Sequence, residues 1–303
     1  MRKEFSQWIE QFGRREERLI FLTGDLGFGA LENVQAALDR RFVNMGVSEQ
    51  NMMSVAAGLA RQGLLPLCYS IAPFAVFRPL EQIRLDIALH QLPVKIVGNG
   101  GGYGYGIMGA SHHALEDIAV LSCLPGFACI MPLCNSDVAA AGDALFAHPG
   151  PGYLRLGLGV WPDALGALPA FAPVRRLIAP AGPPKLTVVG MGPVLLGALP
   201  WLKEHARCEV FAVSQLPLPA LDPHLRASVE TSGQLLVIEE HVARGGLGEH
   251  LAALLAATGT PFRLQHLHAA GYPSGRYGSQ AFHQRESGLD FRSVQDTVNR
   301  LTA

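Results

Sequence analysis

The sequence predicts an α/β protein with two doubly wound domains, each built around a mostly parallel sheet. Short β-branched runs alternate along the chain with helical runs rich in alanine and leucine, which is the pattern of strands connected by helices. The chain has 303 residues, enough for two domains of ordinary size. Hydrophobic residues make up 49% and charged residues only 16%, so we expect a large core and some apolar surface that a partner subunit covers.

The first domain is predicted over residues 1–162. Its predicted strands are Leu19–Thr23, Leu65–Tyr69, Val94–Gly98, Ala128–Met131 and Gly152–Leu156. The predicted helices between and after them are Met52–Arg61, Pro79–His90, Ala114–Leu121 and Asp137–Ala147. Strands and helices that alternate at this spacing favour a parallel sheet with helices on both faces.

A linker and a second domain are predicted to follow. Residues 163–184 are rich in proline, alanine and glycine and have little periodicity, so we expect a semi-extended linker there. A second α/β alternation then occupies residues 185–303. Its segments are Leu186–Val189, Trp201–His205, Glu209–Val213, Leu235–Ile238, Gly246–Ala257 and Phe262–His266.

Charge and composition exclude several classes of protein. The net charge is -1 and no basic cluster is present, so nothing predicts nucleic-acid binding. The longest apolar stretch, near Thr187–Leu202, is interrupted by glycine and proline and does not suit a membrane span. The N-terminal residues lack the apolar core of a signal peptide. The five cysteines form no CxxC motif, so we expect buried, reduced thiols in a cytoplasmic protein.

The most informative segment is RFVNMGVSEQNMM, residues 41–53, which leads into a helix rich in alanine and glycine. Glu49 stands where a short apolar strand ends and this helix begins. Small helical residues permit close packing, so we expect the carboxylate to have dry surroundings and few charge partners. Such surroundings make a carboxyl group useful as a proton donor or acceptor. The alternative is a glutamate that only complements the helix dipole.

A second segment, GNGGGYGYGIMGASHHALED at residues 98–117, runs from a strand through a glycine-rich loop. Its stretch 104–109 fits GxGxxG, but about six residues separate the strand from the first of these glycines, so a dinucleotide site is a weak interpretation. His112 and His113 have no carboxylate or cysteine at ligand spacing, and we therefore predict no metal site. A histidine in such a loop can donate a hydrogen bond or shuttle a proton.

Together these segments resemble the transketolase family. The pattern RFxNxGxxEQxMxxxAxGLAxxG is similar to the pyrimidine-binding domain of its thiamine-diphosphate-dependent members, and residues 185–303 resemble the transketolase C-terminal domain. The resemblance covers nearly the whole chain and implies that Glu49 contacts the aminopyrimidine ring of thiamine diphosphate. The GDG…N motif that holds the diphosphate and its metal has no counterpart, because no asparagine completes the pattern after Gly24-Asp25. The resemblance therefore implies that Asp25 lies in a loop near the cofactor, and that a partner subunit holds Mg or Ca.

The resemblance also assigns the walls of the cofactor site. YSIAPFAVFRPLEQIR, residues 69–84, is similar to the loop that supplies aromatic side chains around the aminopyrimidine. Phe74 and Phe77 match aromatic positions, which suits stacking on a flat heterocycle. Ile71 replaces the usual first phenylalanine and is expected to pack on the ring face. The alternative is that Phe74 and Phe77 are simply core residues.

Four residues are the expected substrate contacts on the same resemblance. His112 aligns with the histidine that contacts the donor's oxygen, which implies a catalytic role, and His113 replaces a more common glutamine. Met108 replaces an aspartate that recognises a sugar hydroxyl, which argues against a simple copy of the pentose-phosphate reaction. Arg155 matches the first arginine of YxRxxR, whereas Leu158 replaces the second, and this change weakens selection for sugar phosphates.

The sequence thus favours one subunit of a split thiamine-diphosphate-dependent transketolase-like enzyme. It would transfer a two-carbon ketol unit, or an acyl unit from a 2-oxo acid, to an aldehyde or ketone in sugar or secondary-metabolite biosynthesis. The expected partner is the diphosphate-binding subunit in an α2β2 assembly.

Two alternatives stay open. They are the β-subunit of a 2-oxo-acid dehydrogenase E1-like enzyme, which usually lacks a GASHHALED-type loop, and a non-catalytic scaffold, which the departures at positions 71, 108 and 158 favour. The late glycine-rich loop, residues 271–279, either reaches the mouth of the site or only caps a sheet.

Overall fold

The computed structural model describes residues 1–27, 29–205 and 207–303, without the side chain of His205. Its strands are β1 (Leu19–Thr23), β2 (Phe42–Asn44), β3 (Leu65–Ile71), β4 (Lys95–Asn99), β5 (Ala128–Ile130), β6 (Gly152–Leu156), β7 (Val174–Ile178), β8 (Leu186–Met191), β9 (Cys208–Val213), β10 (Gln215–Leu216), β11 (Gln234–Glu239) and β12 (Arg263–Leu267). They form one sheet in the order β10-β5-β6-β4-β3-β1-β2 and a second in the order β12-β11-β8-β9-β7. Every neighbouring pair is parallel except β10–β5 and β7–β9, which are antiparallel edge pairs. The predicted fold class is confirmed.

Helices join and cover these strands. They are α1 (Arg2–Arg15), α2 (Glu32–Leu38), α3 (Glu49–Arg61), α4 (Ala72–Val76), α5 (Leu80–Gln82), a π-helical turn (Ile83–Ala88), α6 (Asp117–Ser122), α7 (Val138–Ala147), α8 (Leu199–His205), α9 (Pro223–Ser232), α10 (Leu247–Ala257), α11 (Gln280–Glu286) and α12 (Phe291–Thr302). Short 3₁₀ turns lie at Asp39–Arg41, Gly106–Met108, Asn135–Asp137, Asp163–Leu165 and Pro193–Ala198. Within the described residues, no helix combines the length and apolar character that crossing a membrane requires.

The first sheet is buried on both faces. Successive strand residues point to opposite sides of the sheet, and each side packs into its own core cluster. Phe21 and Leu67 belong to a core cluster that contains apolar residues of α1 and α7. Leu22 and Cys68, the next residue in each strand, belong to another cluster that contains apolar residues of α3. This second cluster continues into the other sheet through residues such as Val189 of β8. One apolar core therefore runs from the first sheet to the second.

The linker prediction for residues 163–184 is wrong at its centre, where Val174–Ile178 forms β7 and pairs with β9. Its valine, leucine and isoleucine suit an edge strand, although proline and glycine surround them. The second part of the chain also returns to the first sheet, since β10 adds an antiparallel edge strand to β5. The domain limits 1–162 and 185–303 stay a prediction.

Other differences are local. The helix predicted over Pro79–His90 is α-helical only at α5 and then widens into the π-helical turn. Helix α3 begins at Glu49, three residues before the predicted start at Met52. The expectation that every cysteine is buried is wrong at Cys123, which is exposed just after α6. None of these differences moves the strand ends that carry the candidate site.

Candidate active site

The predicted site segments meet at one edge of the first sheet. Strands β4, β3, β1 and β2 are parallel neighbours, so their carboxyl ends lie side by side. The loop with Asp25 follows β1, and the turn before Glu49 follows β2. Phe74 lies just after β3, and the loop that bears His112 follows β4. Ligands of open α/β sheets bind at this carboxyl edge.

Glu49 is the first residue of α3, and its side chain is only 3% exposed. Its cationic partner is Arg78, whose Nη1 donates to both carboxylate oxygens, at 3.0 Å to Oε1 and 3.1 Å to Oε2. A buried carboxylate without such a partner is costly. Sequence reasoning missed Arg78, although burial of the acid by itself calls for a nearby cation.

The end of β1 approaches the same carboxylate closely. A Cβ atom on Gly24 would lie 3.5 Å from Glu49 Oε1 and 3.7 Å from Ser70 Oγ. The Ser70 hydroxyl lies near the end of β3, is buried, and has no hydrogen-bond partner among the described residues. Buried hydroxyls are normally paired, so an orphan beside a buried acid indicates room for a polar ligand atom.

Phe74 connects the acid to the histidine loop. The Arg78 guanidinium carbon lies over the Phe74 ring, 3.7 Å from its centroid. The centroids of Phe74 and His112 are 5.0 Å apart with an interplanar angle of 64°. His112 Nδ1 lies 2.9 Å from Ser111 Oγ. Glu49, Arg78, Phe74 and His112 therefore form one continuous row, called the site row below.

The remaining predicted cofactor residues border the row in different ways. Asp25 and Asn44 exchange two hydrogen bonds. Asp25 N donates to Asn44 Oδ1 at 3.0 Å, and Asn44 Nδ2 donates to Asp25 Oδ1 at 2.9 Å. Ile71 is half-buried at the end of β3. Phe77 packs against the core cluster that includes α3, as its alternative interpretation predicts. Met108 is 54% exposed on the glycine-rich loop.

His113 lies beside the row but faces the second part of the chain. It is buried, with Nε2 at 2.8 Å from Gly106 O and Nδ1 at 2.8 Å from the Tyr272 hydroxyl. A carbonyl only accepts, so Nε2 carries the hydrogen and Nδ1 accepts from Tyr272. Burial lowers the pKa of His113 to about 4, which agrees with a neutral ring. A substrate contact stays a prediction that this placement does not favour.

Arg155 is also committed to protein partners. Its side chain is 9% exposed, and Nε donates to Asp117 Oδ2 at 2.9 Å. Its Nη2 donates to Ala114 O at 2.5 Å and to Glu240 O at 3.1 Å. The guanidinium thus ties the end of the glycine-rich loop to β6 and to the segment after β11. Its predicted contact with a substrate is likewise not favoured by this placement.

The late loop, residues 271–279, reaches the glycine-rich loop rather than only capping a sheet. Tyr103 donates its hydroxyl to Gly271 O at 2.8 Å. A Cβ atom on Gly106 would lie 3.2 Å from Gly278 O, and one on Gly109 would lie 3.0 Å from the Tyr277 ring. A side chain at either position would crowd the late loop, and both positions have positive φ, which favours glycine. The second part of the chain therefore supports the loop that bears His112.

No group of three or more histidine, cysteine, aspartate or glutamate side chains suited to a metal ion is found in the described part of the chain.

Comparison with known families shows which family the chain belongs to. Residues 1–158 match the family model described as "Transketolase, pyrimidine binding domain". The chain belongs to the transketolase family. The resemblance noted in the sequence is thereby confirmed, and family membership implies thiamine diphosphate as the cofactor.

Curated relatives in this family include single subunits and longer proteins. The chain is 30% identical over 268 residues to one subunit of the apulose-4-phosphate transketolase of Phocaeicola vulgatus, covering 87% of this chain and 86% of that protein. It is 31% identical over 157 residues to the 6-deoxy-6-sulfo-D-fructose transketolase subunit SqwH of a Clostridium species, covering 52% and 49% respectively. It is 31% identical over 306 residues to 1-deoxy-D-xylulose-5-phosphate synthase of Myxococcus xanthus, covering 96% and 50%. The chain thus spans about half the length of the last two proteins.

Solved transketolase structures share the fold. A split-gene transketolase described as an inactive beta4 tetramer has a TM-score of 0.82 and 28% identity, and the match covers 99% of this chain and 97% of that one. The transketolase of Leishmania mexicana has a TM-score of 0.76 at 17% identity, covering 99% of this chain and 45% of that one. The chain therefore corresponds to the C-terminal half of a transketolase.

Proposed function

We propose that the chain is one subunit of a split thiamine-diphosphate-dependent transketolase that transfers a two-carbon ketol unit to an aldehyde or ketone. The observation that carries the proposal is the buried Glu49 at the carboxyl edge of the sheet, whose partner Arg78 lies over the face of Phe74, the ring that His112 also contacts. An acid at the edge of an aromatic face is what recognition of an aminopyrimidine requires. Similarity over most of the chain to a single transketolase subunit supports the split arrangement.

The residues present fit the aminopyrimidine half of the cofactor. Phe74 offers a ring face at stacking distance from a planar group, since a guanidinium already lies 3.7 Å from its centroid. Glu49 offers two carboxylate oxygens that accept from the edge of the guanidinium that lies over this ring. The buried, unpaired hydroxyl of Ser70 offers a further polar atom near the carboxylate. Asp25 and Ile71, at the ends of β1 and β3, are the proposed outer contacts.

When bound, thiamine diphosphate supplies a carbanion centre that attacks carbonyl groups. Glu49 would hold the ring by sharing a proton between a carboxyl oxygen and a ring nitrogen, and this contact would assist proton transfer at the cofactor. The dry position of Glu49 suits this task, because water would compete for that proton.

His112 would act on the substrate rather than on the cofactor. Ser111 Oγ lies 2.9 Å from Nδ1, and in the tautomer that accepts a hydrogen bond from this hydroxyl the imidazole hydrogen is on Nε2. An Nε2–H group can donate to a carbonyl oxygen that gains negative charge during the reaction, which lowers the barrier. Met108, exposed on the same loop, would line the substrate entrance.

A partner subunit would complete the site. We assign the diphosphate group and its Mg or Ca ion to a diphosphate-binding subunit in an α2β2 assembly. Exposed apolar side chains flank the site row, with Val47 74% exposed, Ile107 70% and Met108 54%. Apolar side chains at the edge of a site favour burial against another protein.

The substrates belong to the same proposal. The names of two relatives refer to apulose-4-phosphate and 6-deoxy-6-sulfo-D-fructose, which supports a sugar as donor or product. Arg155 is engaged inside the protein and Leu158 is 71% exposed, so neither supplies a free cation for a phosphate. We therefore propose an unusual sugar or a secondary-metabolite precursor as the acceptor.

The test uses this chain purified together with its diphosphate-binding partner, thiamine diphosphate and Mg²⁺. We expect release of carbon dioxide from hydroxypyruvate, a ketol donor, and little from pyruvate. Preference for pyruvate would instead support the 2-oxo-acid dehydrogenase alternative, and no turnover of either donor would support a scaffold.

Replacing Glu49 with glutamine should lower turnover about 100-fold or more, since acid–base groups contribute on that scale. Replacing Glu17, an exposed glutamate on the segment after α1, with glutamine serves as the matched control and should leave turnover unchanged. Equal turnover of the Glu49 variant and the wild type would end the proposed role of this acid.

A further inference from the structure

Arg78 makes two contacts at once. Its Nη1 donates to both oxygens of Glu49, and its guanidinium lies over the ring of Phe74. A guanidinium is planar and cationic, so it stacks on an aromatic face and presents N–H donors at its edge. Together, the two contacts define a narrow place that accepts a flat group with hydrogen-bond donors on one side.

The proposed function requires an aminopyrimidine in that same place, stacked near Phe74 and hydrogen-bonded to Glu49. Two planar groups cannot both lie against one face of Phe74 and bond to one carboxylate. We propose that Arg78 is a placeholder: its guanidinium fills the pyrimidine slot of the free subunit and must swing out before the cofactor ring enters. This inference rests on the proposed function.

The burial of the two side chains shows which one can move. Glu49 is 3% exposed at the start of a helix, whereas the Arg78 side chain is 43% exposed. Arg78 also lies in the turn between α4 and α5, so its side chain can rotate into solvent without disturbing either helix. We therefore expect Glu49 to stay in place when Arg78 rotates away, which leaves the Glu49 carboxylate and the face of Phe74 accessible to a ligand.

The placeholder also solves a problem of the free subunit. A carboxylate buried without a counter-charge destabilises the fold, and the Glu49 side chain is buried to 3% exposure in the free subunit. Arg78 supplies the counter-charge to Glu49 while no cofactor ring occupies the slot. Removing Arg78 should therefore leave a hole that a soluble planar cation can refill.

The first experiment measures refilling. The variant Arg78→Ala is titrated with N-ethylguanidinium, and thermal unfolding of the full chain is followed. At ten times its dissociation constant, the ion should raise the ratio of folded to unfolded protein about tenfold. Ethylammonium at the same concentration has the charge but not the plane, and it should give a much smaller effect.

Three variants serve as controls for this measurement. Arg84→Ala removes an exposed arginine of the π-helical turn, outside the site row, and its unfolding should not respond to N-ethylguanidinium. Combining Arg78→Ala with Glu49→Gln or with Phe74→Leu removes one wall of the slot, and each double variant should lose the response.

The second experiment measures competition, with thiamine as a probe that carries the aminopyrimidine without the diphosphate. Arg78→Ala should bind thiamine roughly tenfold more tightly than the wild-type chain, because a charge-assisted hydrogen bond no longer has to be broken. N-ethylguanidinium should weaken thiamine binding to this variant competitively. Arg78→Lys, which keeps the charge and protects the fold, should bind thiamine more tightly than wild type and less tightly than Arg78→Ala.

The outcomes separate this inference from the proposed function. Equal thiamine affinity in wild type and Arg78→Ala, with no stabilisation by N-ethylguanidinium, would overturn the placeholder. Stabilisation of Arg78→Ala by N-ethylguanidinium without any thiamine binding would confirm the planar-cation slot and refute the cofactor assignment. Tighter thiamine binding that N-ethylguanidinium does not compete with would also overturn the placeholder.

Discussion

Replacing Arg155 with methionine should destabilise the protein strongly. The side chains of Arg155 and Asp117 are 9% and 0% exposed, and Nε donates to Oδ2 at 2.9 Å. Removing one partner of a buried pair costs about 3–5 kcal/mol, because the remaining charge lies uncompensated in the interior. The variant also loses donors to Ala114 O and Glu240 O, so we expect a cost in the upper half of that range.

The free energy of unfolding can be measured by urea titration with circular dichroism. The surface pair Arg226–Glu230 provides the control, since its side chains are 45% and 44% exposed. Replacing Arg226 with methionine should cost about 0.5 kcal/mol or less. A cost below about 1 kcal/mol for Arg155→Met would refute the reasoning, and it would return Arg155 to consideration as a free substrate contact.

Two further predictions concern His113 beside the site row and the packing of α7 on Trp8. The pKa of His113 is about 4 in the folded chain, from a usual value of 6.5, because burial disfavours the charged ring. The unfolded chain therefore binds a proton that the folded chain does not. Above pH 6.5 the ring is neutral in both states, and His113 does not lower the free energy of unfolding. As the pH falls toward 4, the unfolded chain takes up the proton first, and the free energy of unfolding decreases by up to about 3 kcal/mol. Urea titrations across this range should show a shallower loss in His113→Gln, and parallel curves would contradict the assignment. Gly142→Ala should cost about 1–3 kcal/mol, because a Cβ atom there would lie 2.6 Å from the Trp8 ring. The same titration at pH 7 measures this cost, with Gly197→Ala, where nothing lies within 4 Å, as control; equal costs would show that α7 does not pack tightly on Trp8.

The sequence carried the local part of the site. Glu49 occurs at a change from an apolar strand to a small-residue helix, and this change is visible within a few residues. The strand ends that bring Asp25, Phe74 and His112 together also follow from alternating strands and helices, since parallel strands share one carboxyl edge. Local pattern and sheet geometry together were therefore enough to place the acid.

Contacts between distant segments were not accessible in the same way. Arg78 reaches Glu49 across 29 residues, and His113 reaches Tyr272 across 159 residues. No periodicity encodes which loop meets which. Strand β7 was missed for a similar reason, because its pairing with β9 depends on a partner far along the chain rather than on its own composition.

One missed element did leave a signal. Helix α1 buries Phe5, Trp8 and Ile9, and Phe12 packs against the same cluster. Positions 5, 8, 9 and 12 follow the i, i+3, i+4, i+7 spacing of an amphipathic helix, so the helix was predictable from the first turns of the sequence.

Because β10 is part of the first sheet, that sheet depends on residues that lie beyond residue 184. Gln215–Leu216 pairs with Ile130 and Cys129, so the outermost backbone groups of the first sheet find their partners in a segment that follows β9. A version shortened at residue 184 would leave β5 as an open edge, and open edges recruit strands from other molecules. Attempts to isolate the pyrimidine-binding half should therefore yield aggregates, whereas the full chain keeps that border closed.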